Sequence, residues 1–575
     1  MKVLLLHPED SFHPLREKGW DLVVDLGHAP FSTYDSWREP AGCDVVSLYQ
    51  FSEGTRELDH LHNLLQLGLG SMIDHSGFDW WDLLCLFLTD DLRQSILIER
   101  LSKELDATCE LYATRPHRLA SALQTLLNTR LTILESPAQS VIRRARRYFE
   151  IFSQFDAGQF TQTIEDKFDG DHAIRRRFTR RSSGAGSPVI LLPSAYINVS
   201  RTAISYAKLL PDHEFLLVHT RGSAELDSLP KNVRGTSLSP YFVPTDHAEV
   251  AALGESWNIL RARLVRDDQQ FAMLDDAGSL EQIPKLFSWG IALRNAWNKL
   301  FACEDVTACL CADDSNAASS IPMLMAQKRG LPAIACHHGA LDYQMAIKTN
   351  RADFYLAKSE MERDYLRRIC HLPLDRIVVA PTSTEDSAQQ INPQPEAPWL
   401  VFFTEPYRAY GWRTDEVYCE LLPRLCDLAK ACGLKLVFKL HPFESVRGHR
   451  KMLRRLAPED ERHIDIISGP PSPELWRNIR FAMTVQSSTA LECAALGIPI
   501  FLCAWLRETA SGYLEQYTRF GVGKVLQSIE EIAEVPHLLA QNVPGLTSNS
   551  RRMADIDQLA QLFSGACPLP LASNA

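Results

Sequence analysis

Short apolar runs alternate with longer amphipathic stretches in the middle of the chain, which is the pattern of a parallel α/β sheet. Three largely apolar runs predict buried strands at Val189–Pro193, Phe215–His219 and Ala333–Cys336. Stretches with helical spacing lie between such runs, for example Ser319–Lys328. Because strands and helices alternate along the chain, this region is predicted to be a Rossmann-like domain.

A second series of the same kind follows a proline-rich segment at 392–398. Its apolar runs predict strands that begin at Trp399 and recur up to Pro499–Cys503, with helices between them. The sequence therefore predicts two Rossmann-like domains, at 188–391 and 398–565, followed by a tail at 566–575. We expect the two domains to face each other, with the ligand in the cleft between them.

The first part of the chain is predicted to be an accessory domain. Runs at Lys2–Leu6, Asp21–Leu26 and Asp44–Leu48 are typical of strands, and helix-like segments follow them. This pattern predicts an α/β or mainly helical domain at 1–130. Residues 131–187 are rich in arginine and end in a serine- and glycine-rich stretch, so they are predicted to form a basic linker or helical segment.

The composition narrows the classes of function. The 575 residues carry a formal net charge of −11, which argues against general nucleic-acid binding because such binding needs a basic surface. No apolar run reaches the roughly 18 to 20 residues that span a bilayer. The 14 cysteines are scattered without a CxxC pair, which is typical of reduced thiols in a cytosolic protein. The sequence therefore predicts a cytoplasmic protein.

The strongest chemical signal is a histidine at the end of a predicted strand. The run Leu434–Leu440 leads directly into His441 and Pro442, and the proline stops the strand at the imidazole. At the carboxyl edge of a sheet, the His441 side chain can hydrogen-bond a phosphate oxygen or protonate a leaving phosphate. The alternative is a strand-ending turn in which the histidine has no functional role.

A polar turn before a short helix is the second part of this signal. The strand Phe481–Val485 leads into Ser487, Ser488 and Thr489 at the predicted helix start. Free N–H groups and serine hydroxyls at such a start can hold a phosphate. Glu492, one turn further on, can accept hydrogen bonds from ribose hydroxyls. The alternative is an ordinary capped helix, in which these side chains stabilise only the first turn.

Together, the strand-His-Pro and strand-Ser-Ser-x-x-x-Glu patterns resemble the nucleotide-binding half of GT-B glycosyltransferases. They are most similar to bacterial sialyltransferases, Kdo transferases of capsule and lipopolysaccharide assembly, and CDP-glycerol glycerophosphotransferases. By motif the resemblance covers the region 390–510. It implies a GT-B fold and a CMP- or CDP-linked donor. It also implies that the nucleotide phosphate is held by His441, Pro442, Ser487 and Ser488.

Two adjacent acidic residues in the middle domain are candidates for the catalytic base. Asp313 and Asp314 follow the apolar run Cys309–Ala312. Adjacent like charges raise the pKa of one carboxyl, which favours a base near neutral pH. The sialyltransferase-like pattern has a glycine after such a pair, whereas Ser315 stands here. The alternative is an aspartate N-cap of the next helix.

A histidine and a glycine follow the next predicted strand. His338 and Gly339 come after Ala333–Cys336, and CDP-glycerol-type enzymes have a similar His-Gly element, which implies a catalytic or positioning role for His338. Gly339 is expected to let a ligand or the facing domain approach closely; a structural histidine is the alternative. His337 and His338 are not expected to bind a metal, because adjacent strand residues point to opposite faces. The sequence predicts no metal and no cofactor besides the nucleotide-sugar substrate.

Other polar residues at strand ends are candidates for the cleft. Lys358 follows the strand Phe354–Ala357, and Glu405 ends the first strand of the C-terminal domain. Arg408 lies in the aromatic and basic loop that follows, where a guanidinium can pair with phosphate. Helix capping and exposed loop positions are the alternatives. The DxD pattern at Asp169–Asp171 lacks a preceding apolar strand and is set aside.

A cluster of arginines in the linker segment is a candidate for peripheral membrane contact. Its members span one helical turn: Arg143, Arg144, Arg146 and Arg147. Such a turn can contact anionic lipid headgroups at the inner membrane face, where lipid-linked acceptors lie. The alternative is a solvated helix face that makes salt bridges.

These features predict a metal-independent GT-B glycosyltransferase of surface polysaccharide synthesis. It would move a sugar from a nucleotide-activated donor, with a CMP-linked donor favoured, to a saccharide or lipid-linked saccharide acceptor. Asp313, Asp314 or His338 would activate that acceptor. Three alternatives stay open, namely a CDP-polyol phosphotransferase, a UDP-sugar 2-epimerase of GT-B shape, and a non-catalytic scaffold of a polysaccharide assembly complex.

Overall fold

The computed structural model describes residues 1–10, 12–27, 34, 37–38, 42–136, 139–142, 187–220, 228–341, 351–380, 396–406, 414–506, 512–541 and 556–564. Within these residues three parallel sheets form, which confirms the predicted α/β class with Rossmann-like sheets. The chain divides into two compact units. One comprises Met1–Gly54, Arg93–Asp156 and Ser387–Arg551, and the other comprises Thr55–Leu92, Ala157–Asp386 and Arg552–Ala575.

The N-terminal sheet has the spatial order β3-β2-β1-β4-β5, and all of its strands are parallel. Its central strand is buried because Val3–Leu6 is wholly apolar. The strands are β1 (Lys2–Leu6), β2 (Leu22–Asp25), β3 (Asp44–Ser47), β4 (Glu110–Ala113) and β5 (Leu131–Ile133). The helices of this part of the chain are α1 (Thr55–Gln66), α2 (Trp81–Glu104) and α3 (Arg118–Leu127).

This sheet decides between the two predictions for the start of the chain. The region is α/β rather than mainly helical, because its strands form a parallel sheet. The predicted stretch 1–130 is nevertheless divided, since the strands belong to one unit and Thr55–Leu92 belongs to the other. Of the predicted linker 131–187, most lies outside the described residues.

The middle sheet has the order β12-β11-β10-β9-β6-β7-β8 and is also parallel. Its strands are β6 (Val189–Ser194), β7 (Phe215–His219), β8 (Val233–Ser237), β9 (Val306–Cys311), β10 (Ala333–Cys336), β11 (Phe354–Ala357) and β12 (Ile377–Val379). The helices between them are α4 (Ile197–Leu209), α5 (His247–Asp267), α6 (Gln269–Asp276), α7 (Phe287–Cys303), α8 (Ala317–Lys328) and α9 (Glu360–Arg368). Strands β6 and β9 consist mostly of buried residues. For this reason their sequences are apolar runs, which predict strands.

The C-terminal sheet has the order β15-β14-β13-β16-β17-β18. Its strands are β13 (Trp399–Phe403), β14 (Lys435–Lys439), β15 (Asp465–Ile467), β16 (Ile479–Thr484), β17 (Ile500–Cys503) and β18 (Lys524–Leu526). Its helices are α10 (Thr414–Ala431), α11 (Val446–Leu456), α12 (Pro473–Asn478), α13 (Thr489–Ala495), α14 (Tyr513–Arg519) and α15 (Val535–Ala540). This is the strand order of a dinucleotide-binding Rossmann sheet.

The last helix, α16 (Ile556–Phe563), packs in the core of the middle sheet. Leu559, Leu562 and Phe563 are buried in the apolar core of the middle sheet, where the Phe563 ring lies 6.1 Å from that of Phe215. The predicted domain 398–565 therefore ends too late, because the apolar face of this helix covers a different sheet from the one that precedes it. No helix among the described residues is both long enough and apolar enough to cross a membrane.

Candidate functional site

The strand order of the middle sheet places its switch point between β6 and β9. From β6 the chain continues to β7 on one side, whereas β9 to β12 extend the sheet on the other. Ligands of open α/β sheets bind at the carboxyl ends of the strands next to this reversal. Tyr196 follows β6, Asp313 follows β9 and His338 follows β10. The three side chains therefore start from neighbouring strand ends at the expected ligand edge.

The Tyr196 hydroxyl joins two of the predicted catalytic residues. Its Oη lies 2.9 Å from Oδ2 of Asp313 and 2.8 Å from Nε2 of His338. The phenol has one proton and can donate it to only one of these atoms, so the other contact needs a proton on Asp313 or His338. The three groups therefore share protons, which is what general acid–base chemistry requires. We call them the Tyr196 cluster.

Burial sets the charge of this cluster. Asp313 is buried, and its other oxygen, Oδ1, accepts a hydrogen bond from the Ser315 hydroxyl. Burial lowers the pKa of His338, the Asp313 carboxylate opposes that effect, and the Lys358 ammonium adds to it. His338 is therefore neutral at neutral pH and can accept a proton.

Asp314 lies in a different environment from its neighbour. Burial and the Asp313 charge raise the pKa of the Asp314 carboxyl from 3.8 to about 7, although the Arg351 charge opposes the rise. Its Oδ2 has no hydrogen-bond partner among the described residues. The two predicted base candidates are thus separated, because Asp313 contacts Tyr196 whereas Asp314 is buried behind it as a neutral or half-ionised acid.

We expect Asp314→Asn to become more stabilising as the pH rises. Between about pH 4 and pH 7 the native carboxyl holds a proton that the unfolded chain has released, so the wild type loses stability over this range. Asparagine does not titrate, and the gain relative to the wild type reaches at most about 4 kcal/mol above pH 7. Thermal unfolding of both proteins at pH 5 and pH 8 measures this; an equal difference at both values would contradict it.

Helix capping accounts for other residues of this edge. The cap of α8 is Asn316, whose Oδ1 accepts from the Ala318 N–H at 3.0 Å, so the aspartates are not used as N-caps.

Lys358 donates from Nζ to the Gly339 carbonyl at 2.8 Å and pairs with Glu362 at 3.1 Å. The ammonium of this predicted cleft residue is therefore held close to the Tyr196 cluster by a buried carboxylate.

The two adjacent histidines do not point apart as predicted. Their rings lie 4.7 Å apart, inclined by 31°, because they follow the end of β10, where strand alternation no longer applies. With Asp313 they place three potential metal-ligand atoms within 4.8 Å of one another. However, Nδ1 of His337 accepts from the Gly339 N–H at 3.1 Å, so the neutral ring carries its proton on Nε2. A metal at Nε2 would need that nitrogen deprotonated, so this tautomer argues against one.

The close approach of a ligand or of the facing domain at Gly339 stays a prediction. A Cβ added there would lie 3.6 Å from Cε1 and 3.7 Å from Nδ1 of His337, which are ordinary contacts. The role of this residue in the structure is its backbone, whose N–H fixes His337 and whose carbonyl binds Lys358.

The C-terminal sheet places its predicted phosphate residues at two strand ends, on either side of a third strand end that carries Thr404 and the predicted cleft residue Glu405. Thr404 and Glu405 follow β13, His441 follows β14, and Ser487 follows β16. Strand β13 lies between the other two. The ends of β14 and β16 are consequently two strand spacings apart, or about 9 to 10 Å. The switch point of this sheet lies between β13 and β16.

The His441 side chain is fixed by the turn that Pro442 starts. The Phe443 N–H donates to Nδ1 of His441 at 3.2 Å, and the His441 N–H donates to Oγ1 of Thr404 at 2.9 Å. Because Nδ1 is an acceptor, the neutral imidazole carries its proton on Nε2. The ring thus presents one N–H of defined position, as a phosphate ligand would need. Pro442 itself is exposed.

In the serine turn, Ser487 to Thr489, the groups that can donate to a phosphate are mainly backbone N–H groups. The N–H groups of Ser487 and Ser488 donate no hydrogen bond within the described residues, and the Ser488 side chain does not cap α13. The Ser487 hydroxyl accepts from the Thr489 N–H at 3.3 Å, and Thr489 Oγ1 has no partner within the same set. The helix has only seven residues, so its dipole is small, and the free N–H groups carry the phosphate-binding potential. Glu492 lies half-buried on its first turn.

Thr404 and Glu405, the two residues after β13, hydrogen-bond the turn of His441 and the serine turn, respectively. Oγ1 of Thr404 accepts from the His441 N–H, and Oε1 of Glu405 accepts from the Gln486 N–H at 2.8 Å. Glu405 is buried and supports the serine turn, and its contact with a ligand stays a prediction. The imidazole and the serine N–H groups are therefore held to one common strand end.

Some predicted residues lie outside the described part of the chain. They are Arg408, the linker cluster Arg143, Arg144, Arg146 and Arg147, and the DxD segment Asp169–Asp171. Conversely, three residues that contact the predicted ones were not predicted from the sequence, namely Tyr196, Thr404 and Glu444. A signal for the first two was present, since Tyr196 and Thr404 are polar residues directly after predicted strands next to a switch point.

Comparisons with known proteins give distant structural similarities only. No family model matches the chain, and no curated protein matches it. The UDP-GlcNAc 2-epimerase of Methanocaldococcus jannaschii is 10% identical, with 66% of this chain and 100% of that chain covered and a TM-score of 0.41. The wall teichoic acid polymerase TagF is 10% identical, with coverages of 72% and 98% and a TM-score of 0.39.

A third similar structure is the calicheamicin glycosyltransferase, which is 11% identical over 66% of this chain and 99% of its own, with a TM-score of 0.37. At TM-scores below 0.5 these similarities carry no argument for an activity. The assignment of Rossmann-like sheets rests on the strand orders themselves.

Proposed function

We propose that the protein transfers a glycosyl group from a nucleotide-activated donor, with a CMP-linked donor favoured, to a saccharide or lipid-linked saccharide hydroxyl. In this proposal the C-terminal sheet holds the nucleotide phosphate, and the Tyr196 cluster of the middle sheet takes the proton of the acceptor. The GT-B assignment and a role in surface polysaccharide synthesis are part of the same proposal.

One observation supports nucleotide binding by the C-terminal sheet. Residues at the end of β13 hydrogen-bond both turns that offer donor groups to a phosphate. Thr404 positions the His441 turn and Glu405 positions the serine turn. The Nε2–H of His441 and the N–H groups of Ser487 and Ser488 are donors, and phosphate oxygens are acceptors only. Lys439, the last residue of the neighbouring strand β14, adds a positive charge at the same edge of the sheet, where its Nζ lies 3.1 Å from the Leu440 carbonyl.

The chemistry assigned to the Tyr196 cluster is removal of a proton from the acceptor hydroxyl. The acceptor oxygen forms a bond to the anomeric carbon as its proton passes to Asp313 or to neutral His338. The bond between that carbon and the phosphate oxygen breaks, and the nucleotide leaves with the electron pair. Hydrogen bonds from His441 and the serine N–H groups stabilise the charge that develops on the leaving phosphate.

A nucleotide screen tests the first half of this proposal. CMP, CDP, UDP and GDP are each added to the protein at millimolar concentration, and the unfolding temperature is measured. A nucleotide at about 100 times its Kd adds about 2.7 kcal/mol to the stability of the native state, which shifts the transition visibly. We expect a cytidine nucleotide to give the largest shift, and no shift with any of the four would contradict nucleotide binding.

Product analysis with the matching activated donor separates transfer from the other candidates. Release of the nucleotide with a sugar attached to an added acceptor supports the proposed transferase. Release of the nucleotide with a polyol phosphate attached identifies a CDP-polyol phosphotransferase, and reversible conversion of a UDP-sugar identifies the epimerase. Binding without turnover of any donor would favour the scaffold.

A further inference from the structure

A mostly buried acid lies directly behind the His441 turn, with the Glu444 side chain 11% exposed. Oε2 of Glu444 accepts a hydrogen bond from the Thr404 hydroxyl and lies 3.3 Å from the His441 N–H. The Glu444 N–H in turn donates to the His441 carbonyl at 2.9 Å. One carboxyl group therefore contacts both the Thr404 hydroxyl and the backbone N–H of His441, and it belongs to the same turn.

Within the described residues, the ion-pair partners of Glu444 include no lysine or arginine. Facing this carboxyl group are Thr404 and Glu405 on β13 and its following turn, Tyr418 on α10, and His449 on α11, whose Nε2 lies 3.7 Å from Oε1 of Glu444. His449 is its ion-pair partner within the described residues, and burial lowers the pKa of that imidazole to about 4. At neutral pH His449 is uncharged and gives Glu444 no compensating charge.

Burial acts on Glu444 in the opposite direction. It raises the pKa of this carboxyl from 4.5 to about 8, and the Glu405 charge adds to the rise, whereas the hydrogen bonds from Thr404 and His441 oppose it. Glu444 is therefore mostly protonated at pH 7 and accepts these two hydrogen bonds as a neutral group.

The N-terminal sheet contains the same turn with a different acid. The Glu9 N–H donates to Nδ1 of His7 at 3.1 Å, the His7 N–H donates to the Thr114 hydroxyl at 3.0 Å, and the Asp10 N–H donates to the His7 carbonyl. Asp10 occupies the place of Glu444, but it pairs with Arg115. A His-Pro turn of this chain thus folds with a charged, compensated acid, and the uncompensated acid is specific to the turn of His441.

We propose that Glu444 is a positioning residue, whose carboxyl group holds the His441 turn and the Thr404 hydroxyl in the geometry that binds a phosphate group. The proposal rests on the proposed function, since it requires a nucleotide phosphate at His441. An ionised Glu444 would place a negative charge behind the imidazole and repel that phosphate. Phosphate affinity should therefore fall as Glu444 loses its proton.

The test compares nucleotide binding across pH in three proteins. CMP and CDP are titrated by calorimetry between pH 7 and pH 9.5 into the full-length wild type, Glu444→Gln and Glu444→Ala. Over this range the ligand charge stays constant, because the second phosphate pKa is about 6. The wild-type Kd is expected to rise about tenfold, the effect of one added charge a few ångströms from the phosphate in a partly buried site.

Glutamine has nearly the same size as glutamate and keeps an acceptor oxygen, but it does not titrate. Glu444→Gln should bind within about threefold of the wild type at pH 7 and lose the decline at high pH, whereas Glu444→Ala should bind about tenfold more weakly at every pH. Asp10→Asn in the N-terminal turn is the matched control and should leave the wild-type profile unchanged.

Each outcome has a separate meaning. If the wild type binds and Glu444→Gln shows the same decline with pH, the proposed role of Glu444 is wrong and the proposed nucleotide site stands. The same holds if Glu444→Ala binds as tightly as the wild type. If the wild type binds neither CMP nor CDP at any pH, the nucleotide site at His441 is itself overturned, together with this inference.

Discussion

Replacement of Asp313 by asparagine should lower the turnover of glycosyl transfer by about 10²- to 10⁴-fold, the usual contribution of a general base. Asparagine has the same shape, and its single oxygen can accept from one of Tyr196 and Ser315 while its NH2 group donates to the hydroxyl oxygen of the other, so the local structure should persist. It cannot take up a proton, and the Tyr196 cluster would lose its carboxylate. Nucleotide affinity should stay within about twofold, because no nucleotide ligand has been assigned to this sheet.

Two further variants show whether the loss comes from proton transfer. Ser315→Ala removes a hydrogen bond to the same carboxylate and no proton acceptor, so we expect a loss of about tenfold or less. Tyr196→Phe removes the hydroxyl that joins Asp313 to His338. Its loss of turnover should lie between those of Ser315→Ala and Asp313→Asn. Steady-state rates with saturating donor and acceptor provide the measurement. Turnover of Asp313→Asn above a tenth of the wild-type value would remove Asp313 from the mechanism.

The central strands of all three sheets could be predicted from the sequence because they are buried on both faces. The run of β9 is apolar throughout its inner part, and β6 is buried at every position. The edge strand β8 was missed, since only Val233 of its residues is buried and its composition does not differ from that of a loop. Edge strands face solvent, so their hydrophobic pattern is weak.

The contacts that make the site could not be read from the sequence. Tyr196 and Asp313 are 117 positions apart, and the sequence does not state that β6 and β9 become neighbours. The choice between Asp313 and Asp314 has the same origin, because adjacent residues of identical type differ only in what surrounds them. Burial and the contact with Tyr196 distinguish the two, and both depend on the tertiary structure.

The His-Pro pattern shows how far a local motif can be trusted. It occurs after a strand at His7 and again at His441, and both turns have the same hydrogen bonds from the i+2 N–H and to a threonine hydroxyl. The pattern therefore predicts a turn, and it does not by itself predict a phosphate site. What distinguishes His441 is the serine turn anchored through Glu405 to the same strand end.

This duplication allows a sharp test of His441. His441→Asn should weaken CMP or CDP binding by about 10- to 100-fold, the effect of losing one hydrogen bond to a charged group. The asparagine oxygen can accept from the Phe443 N–H in place of Nδ1, so the turn should be kept while the Nε2–H is lost. Calorimetric titration at pH 7.5 gives both affinities directly.

His7→Asn is the matched control, because it makes the same change in the same kind of turn within another sheet. Its nucleotide affinity should equal that of the wild type, and both variants should unfold at similar temperatures. If His441→Asn binds as tightly as His7→Asn, the imidazole is only part of a strand-ending turn, and nucleotide binding cannot be assigned to this edge of the C-terminal sheet. A loss confined to His441→Asn would instead mean that the N–H of this ring contacts the ligand, since the same substitution in the turn of His7 leaves binding intact.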